Sequence, residues 1–289
     1  MKKPTISIII PTYNRAAIIN KTIDSFIAQD FNDWEMVVVD DHSKDNTKEV
    51  IEEYHKRDER ISYMLNERKK GAQGARNTGL LHAQADWVVL FDSDDYVYPN
   101  FLSTLKTAVD DKTDVVTCLA HAMTPDGSKD YIEDWTAEGY VERELMKRNL
   151  YVNFDNCLIR REKLLEIGLL AEDCPAMQEY DTHIRLSRIC TYKKVNEVLL
   201  DYIICNPDSI SINANKNTYG MCYVVLHNQE RWKELEYDSF YTLVKSFFRH
   251  VNLKKRMDLI KATPKLLLDI PSIYAKATSN FIKRKLSNK

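Results

Sequence analysis

Short apolar runs alternate with amphipathic stretches along the first 120 residues of the chain. The runs are rich in β-branched residues, which is typical of strands buried on both faces of a sheet. Between the first two runs, apolar residues recur with helical period from Ile18 to Ile27. The predicted strands are Ile6–Ile10, Glu35–Asp40, Ile61–Leu65, Trp87–Phe91 and Asp114–Ala120. This alternation predicts an α/β fold with a doubly wound, mostly parallel sheet, helices on both faces and right-handed crossovers.

Residues 121–289 give more varied patterns. We predict helices at 141–149, 161–166 and 178–188, a strand at 152–159, and a strand or pair of strands at 195–205. A polar loop follows at 206–217. We therefore expect one α/β domain with two halves, 1–120 and 121–217, and a helical C-terminal extension, 218–289.

The predicted strand Trp87–Phe91 ends in three carboxylates within four residues, Asp92, Asp94 and Asp95. Their mutual repulsion and desolvation at the end of a buried strand cost folding energy unless a cation offsets them. Carboxylate oxygens in a short acidic loop suit Mg²⁺ or Mn²⁺, and these ions keep open positions for substrate phosphates. The alternative is a solvated acidic turn without a ligand, because such short motifs also arise by chance.

Polar loops follow the first, second and fourth predicted strands. They are Thr12–Arg15, Asp40–Asp45 and Asp92–Asp95. In open parallel sheets, ligands bind outside the carboxyl ends of the strands. The three loops are therefore expected to open on the same edge, which favours a metal–diphosphate site over a bare acidic turn.

Charge is unevenly distributed along the 289 residues. The whole chain carries 41 Lys and Arg against 43 Asp and Glu, whereas residues 241–289 carry 12 against 2. Apolar clusters alternate with these basic residues, a pattern that fits docking on an anionic membrane surface. A helical cap on the acidic body and a homodimer contact are equally compatible alternatives. Nucleic-acid binding is not expected, because the tail lacks regularly interleaved aromatic residues and any known binding motif.

The sequence predicts a cytoplasmic protein, peripheral at the inner face of the plasma membrane if the tail binds lipid. The apolar run Ile6–Ile10 is too short for a signal peptide, and no run approaches the length of a membrane-spanning helix. The six cysteines are scattered without C-x-x-C pairs, so we expect reduced thiols and neither disulfides nor a zinc site.

Four blocks in the first half resemble family 2 glycosyltransferases of the GT-A fold. They are Ser7–Arg15, Val38–Thr47, Gly74–Gly79 and Leu90–Asp95, in the order and at the spacing of that family. The likeness is strong over residues 5–120 and extends more weakly, through Gln178–Leu186 and Asp208–Ser211, to residue 211. By this resemblance, residues 1–120 form the nucleotide-sugar-binding half of the domain, and residues 121–217 form the half that holds the acceptor and the catalytic base.

The resemblance implies roles for residues that bind the nucleotide. Pro11, Tyr13 and Asp41 match the positions that hold the base, with the Tyr13 ring stacking and Asp41 accepting a hydrogen bond from a base N–H. Arg76 matches a basic residue near the nucleotide, and Arg15 lies in the first matching block.

The resemblance also implies roles for the carboxylates. Asp92 and Asp94 match the D-x-D pair of the family, with Asp95 beside them, and these residues are expected to hold the ribose and Mn²⁺ or Mg²⁺. The metal is assigned to Asp94 and Asp95. Glu179 falls where the family places its general base, but Glu replaces the commoner Asp, so Asp181 is kept as an alternative base.

These features together predict a metal-dependent, inverting glycosyltransferase. It would move a sugar from a nucleotide sugar, UDP by resemblance, to a hydroxyl of a glycan or lipid-linked glycan in surface polysaccharide or glycan biosynthesis. One base with no second nucleophile implies a single in-line displacement. The first alternative is a nucleotidyltransferase, which usually has a glycine-rich phosphate loop where Thr12–Arg15 stands without glycine. The second is a non-catalytic nucleotide-sugar-binding module, which would tolerate the loss of carboxylates that are all present here.

Overall fold

The computed structural model describes residues 3–124, 126, 130–147, 152–204 and 214–235. The first part of the chain alternates strands and helices as its apolar pattern predicts. In order, these elements are β1 (Ile6–Thr12), α1 (Ile19–Ile27), β2 (Trp34–Asp40), α2 (Thr47–Arg57), β3 (Ile61–Leu65), α3 (Ala72–His82) and β4 (Trp87–Leu90).

The second part is less regular and contains shorter elements. Its strands are β5 (Tyr96–Val97), β6 (Val115–Met123), β7 (Asp130–Glu133), β8 (Cys157–Arg160) and β9 (Tyr192–Ile203). Its helices are α4 (Phe101–Thr107), α5 (Glu142–Met146), α6 (Arg161–Glu166), α7 (Gln178–Leu186), α8 (Ala214–His227) and α9 (Gln229–Leu235).

Within the described residues, nine strands form one sheet in the order β3-β2-β1-β4-β8-β6-β9-β5, with β7 paired to β6. The pairs β3–β2, β2–β1 and β1–β4 are parallel, as predicted. β8 then inserts antiparallel between β4 and β6, so the complete sheet is mixed. The chain leaves β6 through an antiparallel pairing with β7, passes through α5 and returns as β8.

Helices and loops cover both faces of this sheet, and β1 shows how the core is divided. Ile8 faces α1 and α4, where it packs in one cluster with Phe26 and Phe101. Ile9 faces the other side and packs in a second cluster with Leu80 of α3. All these side chains are fully buried. The burial of β1 on both faces fixes the position of its carboxyl end, where the polar loop begins.

Several predicted boundaries need correction. The strand predicted from residue 152 starts only at Cys157, because residues 152–156 form a buried turn before β8. The helix predicted at 141–149 is Glu142–Met146, and the last predicted strand is the single, longer β9. The division of the chain at 217–218 stays a prediction, and this position lies within α8. Most of the 206–217 loop and the basic tail lie outside the described residues.

No helix among the described residues combines the length and apolar character that crossing a membrane requires.

Candidate active site

The carboxyl ends of β1, β2 and β4 meet at one edge of the sheet and open into a cleft of about 720 Å³. The second half of the domain closes this cleft with the first turn of α7 and the end of β9. Every site residue predicted from the sequence lines the cleft except Asp181. The predicted residues that do so are Pro11, Tyr13, Arg15, Asp41, Arg76, Asp92, Asp94, Asp95 and Glu179.

The loop after β1 is fixed by hydrogen bonds to the loop after β2. Asn14 has a left-handed backbone with φ of 52°, a conformation that Asn adopts more readily than most residues. Its N–H donates to Ser43 Oγ at 2.8 Å, and its Oδ1 accepts from the N–H of Lys44 at 2.7 Å. This arrangement leaves the neighbouring Tyr13 side chain 41% exposed in the cleft, with Lys70 Nζ 4.9 Å from the ring centroid. An aromatic ring in this position can stack on a planar ligand.

Asp41 lines the cleft, and its two carboxylate oxygens are oriented from behind. Oδ1 accepts from Asn66 Nδ2 at 2.6 Å, and Oδ2 accepts from the N–H of Gly71 at 2.8 Å. Asn66 Nδ2 also donates to the Lys69 carbonyl at 3.1 Å. A Cβ at Gly74 would lie 1.8 Å from that same carbonyl oxygen, so only glycine fits there. The contact between Asn66 and Asp41 was not predicted from the sequence.

The three aspartates after β4 form a compact acidic cluster. Carboxylate oxygens from Asp92, Asp94 and Asp95 lie within 4.8 Å of one another. Asp95 is almost fully buried, and its Oδ1 accepts from the N–H of Ile203 at 2.7 Å. Burial raises the pKa of Asp95, and the nearby carboxylates of Asp155, Asp94 and Asp92 raise it further. The cluster therefore holds negative charge that the folded protein only partly compensates.

Arg76 is a buried cation at the centre of the carboxylates. It pairs with Asp92, and its guanidinium lies 5.1 Å from the centre of the Phe154 ring. Burial alone would lower the pKa of Arg76, but the charges of Asp92, Glu179 and Asp155 outweigh it and raise the pKa. Arg76 thus remains charged and links the acidic cluster to α7.

Asp155 is a site residue that the sequence analysis missed. Its Oδ1 accepts from the N–H of Asp92 at 2.6 Å, and its Oδ2 is buried without a hydrogen-bond partner in the described part of the chain. Burial raises the pKa of Asp155, as does the charge of Asp92. The residue lies in the turn before β8, which was predicted as part of a strand. A lone Asp in an otherwise ordinary segment gives no signal that the fold places it under a loop 63 residues away.

Glu179 lies in the first turn of α7 and lines the same cleft as the acidic cluster. The helix is preceded by Met177 in the left-handed region, with φ of 58°, and this reversal turns the start of the helix towards the cleft. Burial raises the pKa of Glu179, an effect that the charge of Arg76 only partly offsets. A half-buried carboxylate with a raised pKa is suited to accept a proton.

Asp181 points away from the cleft and is fully buried. Its Oδ1 lies 2.8 Å from His227 Nδ1 and accepts from Asn228 Nδ2 at 3.0 Å, while Oδ2 accepts from Arg185 Nε at 2.9 Å. Burial would raise the pKa of Asp181, but the hydrogen bond with His227 and the charge of Arg185 lower it. The structure therefore does not bring this alternative base to the site, because its oxygens are occupied behind α7.

A comparison with protein families decides the relationship of the chain. The family described as "Glycosyl transferase family 2" matches residues 7–168, which is more than half of the chain. The chain belongs to glycosyl transferase family 2. The resemblance carried by the four sequence blocks is thereby confirmed.

Relatives and solved structures agree with this family 2 membership. The chain is 44% identical over 103 residues to the GalNAc(5)-diNAcBac-PP-undecaprenol beta-1,3-glucosyltransferase of Campylobacter jejuni, covering 35% of the chain and 33% of that protein. The chain spans 33% to 38% of the length of the first curated relatives it matches.

Two solved structures show the fold. A crystal structure of a fragment of S. aureus TarS has a TM-score of 0.64 at 18% identity and covers 89% of this chain and 78% of that one. The mannosyltransferase PcManGT of Pyrobaculum calidifontis was solved with GDP-Man and Mn²⁺. It has a TM-score of 0.58 at 16% identity, and the match covers 100% of this chain and 88% of that one. The GT-A fold predicted from the sequence is confirmed.

The donor set of this family 2 member fits a divalent cation. Three carboxylates supply oxygen ligands in a small volume, which is the chemistry that Mg²⁺ and Mn²⁺ prefer. The nearby cations Arg15 and Arg76 only partly balance these charges and that of the buried Asp155, with Arg15 NH2 3.7 Å from Asp94 Oδ2. The residues present are therefore compatible with Mn²⁺ or Mg²⁺.

Proposed function

We propose that this protein transfers a sugar from a nucleoside diphosphate sugar to an acceptor hydroxyl, with metal assistance and with inversion at the anomeric carbon. One observation carries the proposal: the acidic cluster Asp92–Asp95 and the carboxylate of Glu179 line the same cleft, and the charges of Asp92 and Glu179 both act on the guanidinium of Arg76. A donor diphosphate on the acidic side and an acceptor on the Glu179 side would place the bond to be broken between them.

The donor side supplies binding and orientation. Tyr13 stacks on the nucleobase, Asp41 accepts a hydrogen bond from a base N–H, and Asp92 holds the ribose, which is compatible with their positions in the cleft. Asp94 and Asp95 would hold Mn²⁺ or Mg²⁺, which neutralises negative charge on a leaving diphosphate.

The acceptor side supplies the base. Glu179 takes the proton from the acceptor hydroxyl as its oxygen attacks the anomeric carbon, and the bond to the diphosphate oxygen breaks on the opposite side. The raised pKa of Glu179 brings its proton affinity closer to that required of a base at neutral pH. A single displacement of this kind inverts the anomeric configuration.

The relatives suggest the class of substrates. The Campylobacter jejuni relative is named as a glucosyltransferase for a diphosphoundecaprenol-linked glycan, and the TarS fragment was also solved with UDP-GlcNAc. We infer a UDP-sugar donor and a glycan or lipid-linked glycan acceptor in polysaccharide biosynthesis. We also propose that the protein acts at the inner face of the plasma membrane, with the basic segment 241–289 in contact with anionic lipid.

The test is a screen of UDP- and GDP-sugars with Mn²⁺, in which release of the nucleotide is measured. Release from one donor, its loss on chelation of the metal and its loss in Asp94→Asn are expected. NMR of the product should show the anomeric configuration opposite to that of the donor. A retained configuration refutes the single displacement, and formation of a nucleotidylated product instead favours the alternative of a nucleotidyltransferase.

A further inference from the structure

Helices α8 and α9 pack directly behind the turn that presents Glu179. The two helices follow the segment matched by the family, which ends at residue 168. Gly220 of α8 meets the backbone of Ala176, where a Cβ on Gly220 would lie 2.2 Å from the carbonyl oxygen and 2.5 Å from the carbonyl carbon. Because both atoms belong to the backbone, a side chain at residue 220 could be accommodated only if the turn moved.

A second contact fixes the first turn of α7 from the same side. Asp181, two residues after Glu179, is held by His227 at the end of α8 and by Asn228 at the junction with α9. The N–H of Asp181 donates to the Met177 carbonyl at 3.1 Å and so closes the first helical turn around Glu179. The buried carboxylate thus links the start of α7 to the helix pair.

Further contacts attach α9 to the same region. The fully buried ring of Trp232 meets Tyr180 edge-on, with centroids 6.2 Å apart. Arg231 donates two hydrogen bonds to the carboxylate of Glu142 on α5, at 2.8 and 2.9 Å. The helix pair is therefore anchored at several points to the elements around the base.

The turn itself needs this support. Met177 adopts a left-handed backbone, which is strained for a residue with a long side chain and persists only where the surroundings impose it. Ala176, immediately before it, is the residue on which Gly220 packs. Gly220 of α8 thus supports the turn at a point where a small displacement would turn Glu179 away from the acceptor.

We infer that α8 is a positioning element of the active site, in which Gly220 and His227 set the location of Glu179 through Ala176 and Asp181. The inference rests on the proposed role of Glu179 as the base. Gly220 and His227 lie outside the matched segment. We expect them to affect the catalytic step and not the binding of the nucleotide.

The experiment compares Gly220→Ala, His227→Ala and His227→Gln in the full chain. We expect Gly220→Ala and His227→Ala to lower kcat by about tenfold to a hundredfold, because small misplacements of a catalytic group have effects of this size. The Kd for UDP with Mn²⁺ should stay within about twofold of the wild-type value, since only the base is moved. His227→Gln keeps a hydrogen-bond donor for Asp181 and should restore most of the lost rate.

A readout without substrate accompanies these rates. Hydrogen exchange of the amides in residues 176–183 should accelerate in Gly220→Ala and His227→Ala, because their support is weakened. Ile23→Val, a core substitution in α1 on the other face of the sheet, serves as the control for lost stability. It should leave both kcat and exchange in residues 176–183 unchanged.

The outcomes separate this inference from the proposed function. Suppose that Glu179→Gln loses activity, whereas Gly220→Ala and His227→Ala keep the wild-type kcat and show no faster amide exchange in residues 176–183. In that case only the positioning role is refuted. If Gly220→Ala does not fold, the two His227 variants decide alone. A parallel loss of UDP affinity would also overturn the inference, whereas an active Glu179→Gln would refute the base itself.

Discussion

The two carboxylates at the start of α7 should respond in opposite ways to the same chemical change. Glu179→Gln and Asp181→Asn each replace a carboxylate by an amide of nearly equal size. Glu179 lines the cleft, whereas Asp181 is fully buried behind the helix in contact with Arg185. We predict that the first variant loses catalysis and keeps stability, and that the second primarily loses stability.

The expected magnitudes follow from the surroundings of each group. A general base contributes about 10²–10⁴-fold to the rate, so Glu179→Gln should raise the barrier by about 3–5 kcal/mol. Burial raises the pKa of Glu179, which means that its ionised form is less favourable in the folded than in the unfolded protein. Removing that charge at neutral pH should therefore leave the free energy of unfolding unchanged or larger.

The pKa of Asp181 is shifted in the opposite direction. Despite burial, its pKa is lowered by the hydrogen bond with His227 and by Arg185, so the ionised form stabilises the folded protein above the unfolded pKa. Asp181→Asn leaves the guanidinium of Arg185, 11% exposed, without its negatively charged partner. Breaking such a buried pair costs about 3 kcal/mol or more of unfolding free energy.

The assay measures kcat by nucleotide release and unfolding by urea titration of the same preparations. The pH dependence adds a check, because the wild-type rate should fall as the pH drops through the raised pKa of Glu179, while the residual rate of Glu179→Gln should lack this acid limb. Full transfer by Glu179→Gln, combined with an inactive Asp181→Asn of wild-type stability, would show that the base has been assigned to the wrong residue.

Three further predictions concern the nucleotide side of the cleft, each measured by calorimetric titration with UDP. Asp94→Asn should weaken UDP binding in the presence of Mn²⁺ but not in its absence, because only the metal-linked part is lost; equal weakening in both conditions would contradict the metal role. Tyr13→Ala should cost about 1–3 kcal/mol of UDP affinity while Tyr13→Phe keeps it, since stacking needs only the ring; equal losses would argue against stacking. Gly74→Ala should weaken UDP binding even without metal, because its Cβ would displace the Lys69 carbonyl that helps to orient Asn66 and Asp41; unchanged affinity would show that this turn can adjust freely.

The part of the domain that contains β1, β2 and β4 could be predicted from the sequence because its determinants are local. The strands β1, β2 and β4 are buried on both faces and each appears as one apolar run, and each polar loop at the cleft follows its strand directly in the chain. Once β1, β2 and β4 are placed side by side, Tyr13, Asp41 and Asp94 must lie at the same edge. The pairing of these strands is the one long-range contact needed to place the three residues together.

The other side of the cleft depends on pairings that no local pattern encodes. β8 has only four residues, and its insertion between β4 and β6 brings Asp155 beneath Asp92. β9 pairs with β6 through register shifts near Leu119, so its end could not be placed by counting residues. Glu179 was found through the family motif, whereas its physical support from α8 becomes visible only in the fold.

The acidic residues of the cleft differ in how easily they can be predicted from the sequence. Asp92, Asp94 and Asp95 lie in one short loop, and such a concentration of charge is conspicuous in any sequence. Asp155 adds negative charge to the same corner from a distant segment, with one buried oxygen left without a partner in the described chain. A folded protein retains a buried carboxylate of this kind at a cost in stability, and the cost is reasonable if the charge serves binding rather than folding. Under the proposed function, a cation bound with a diphosphate would relieve the repulsion that raises the pKa of Asp95 and of Asp155 in this corner.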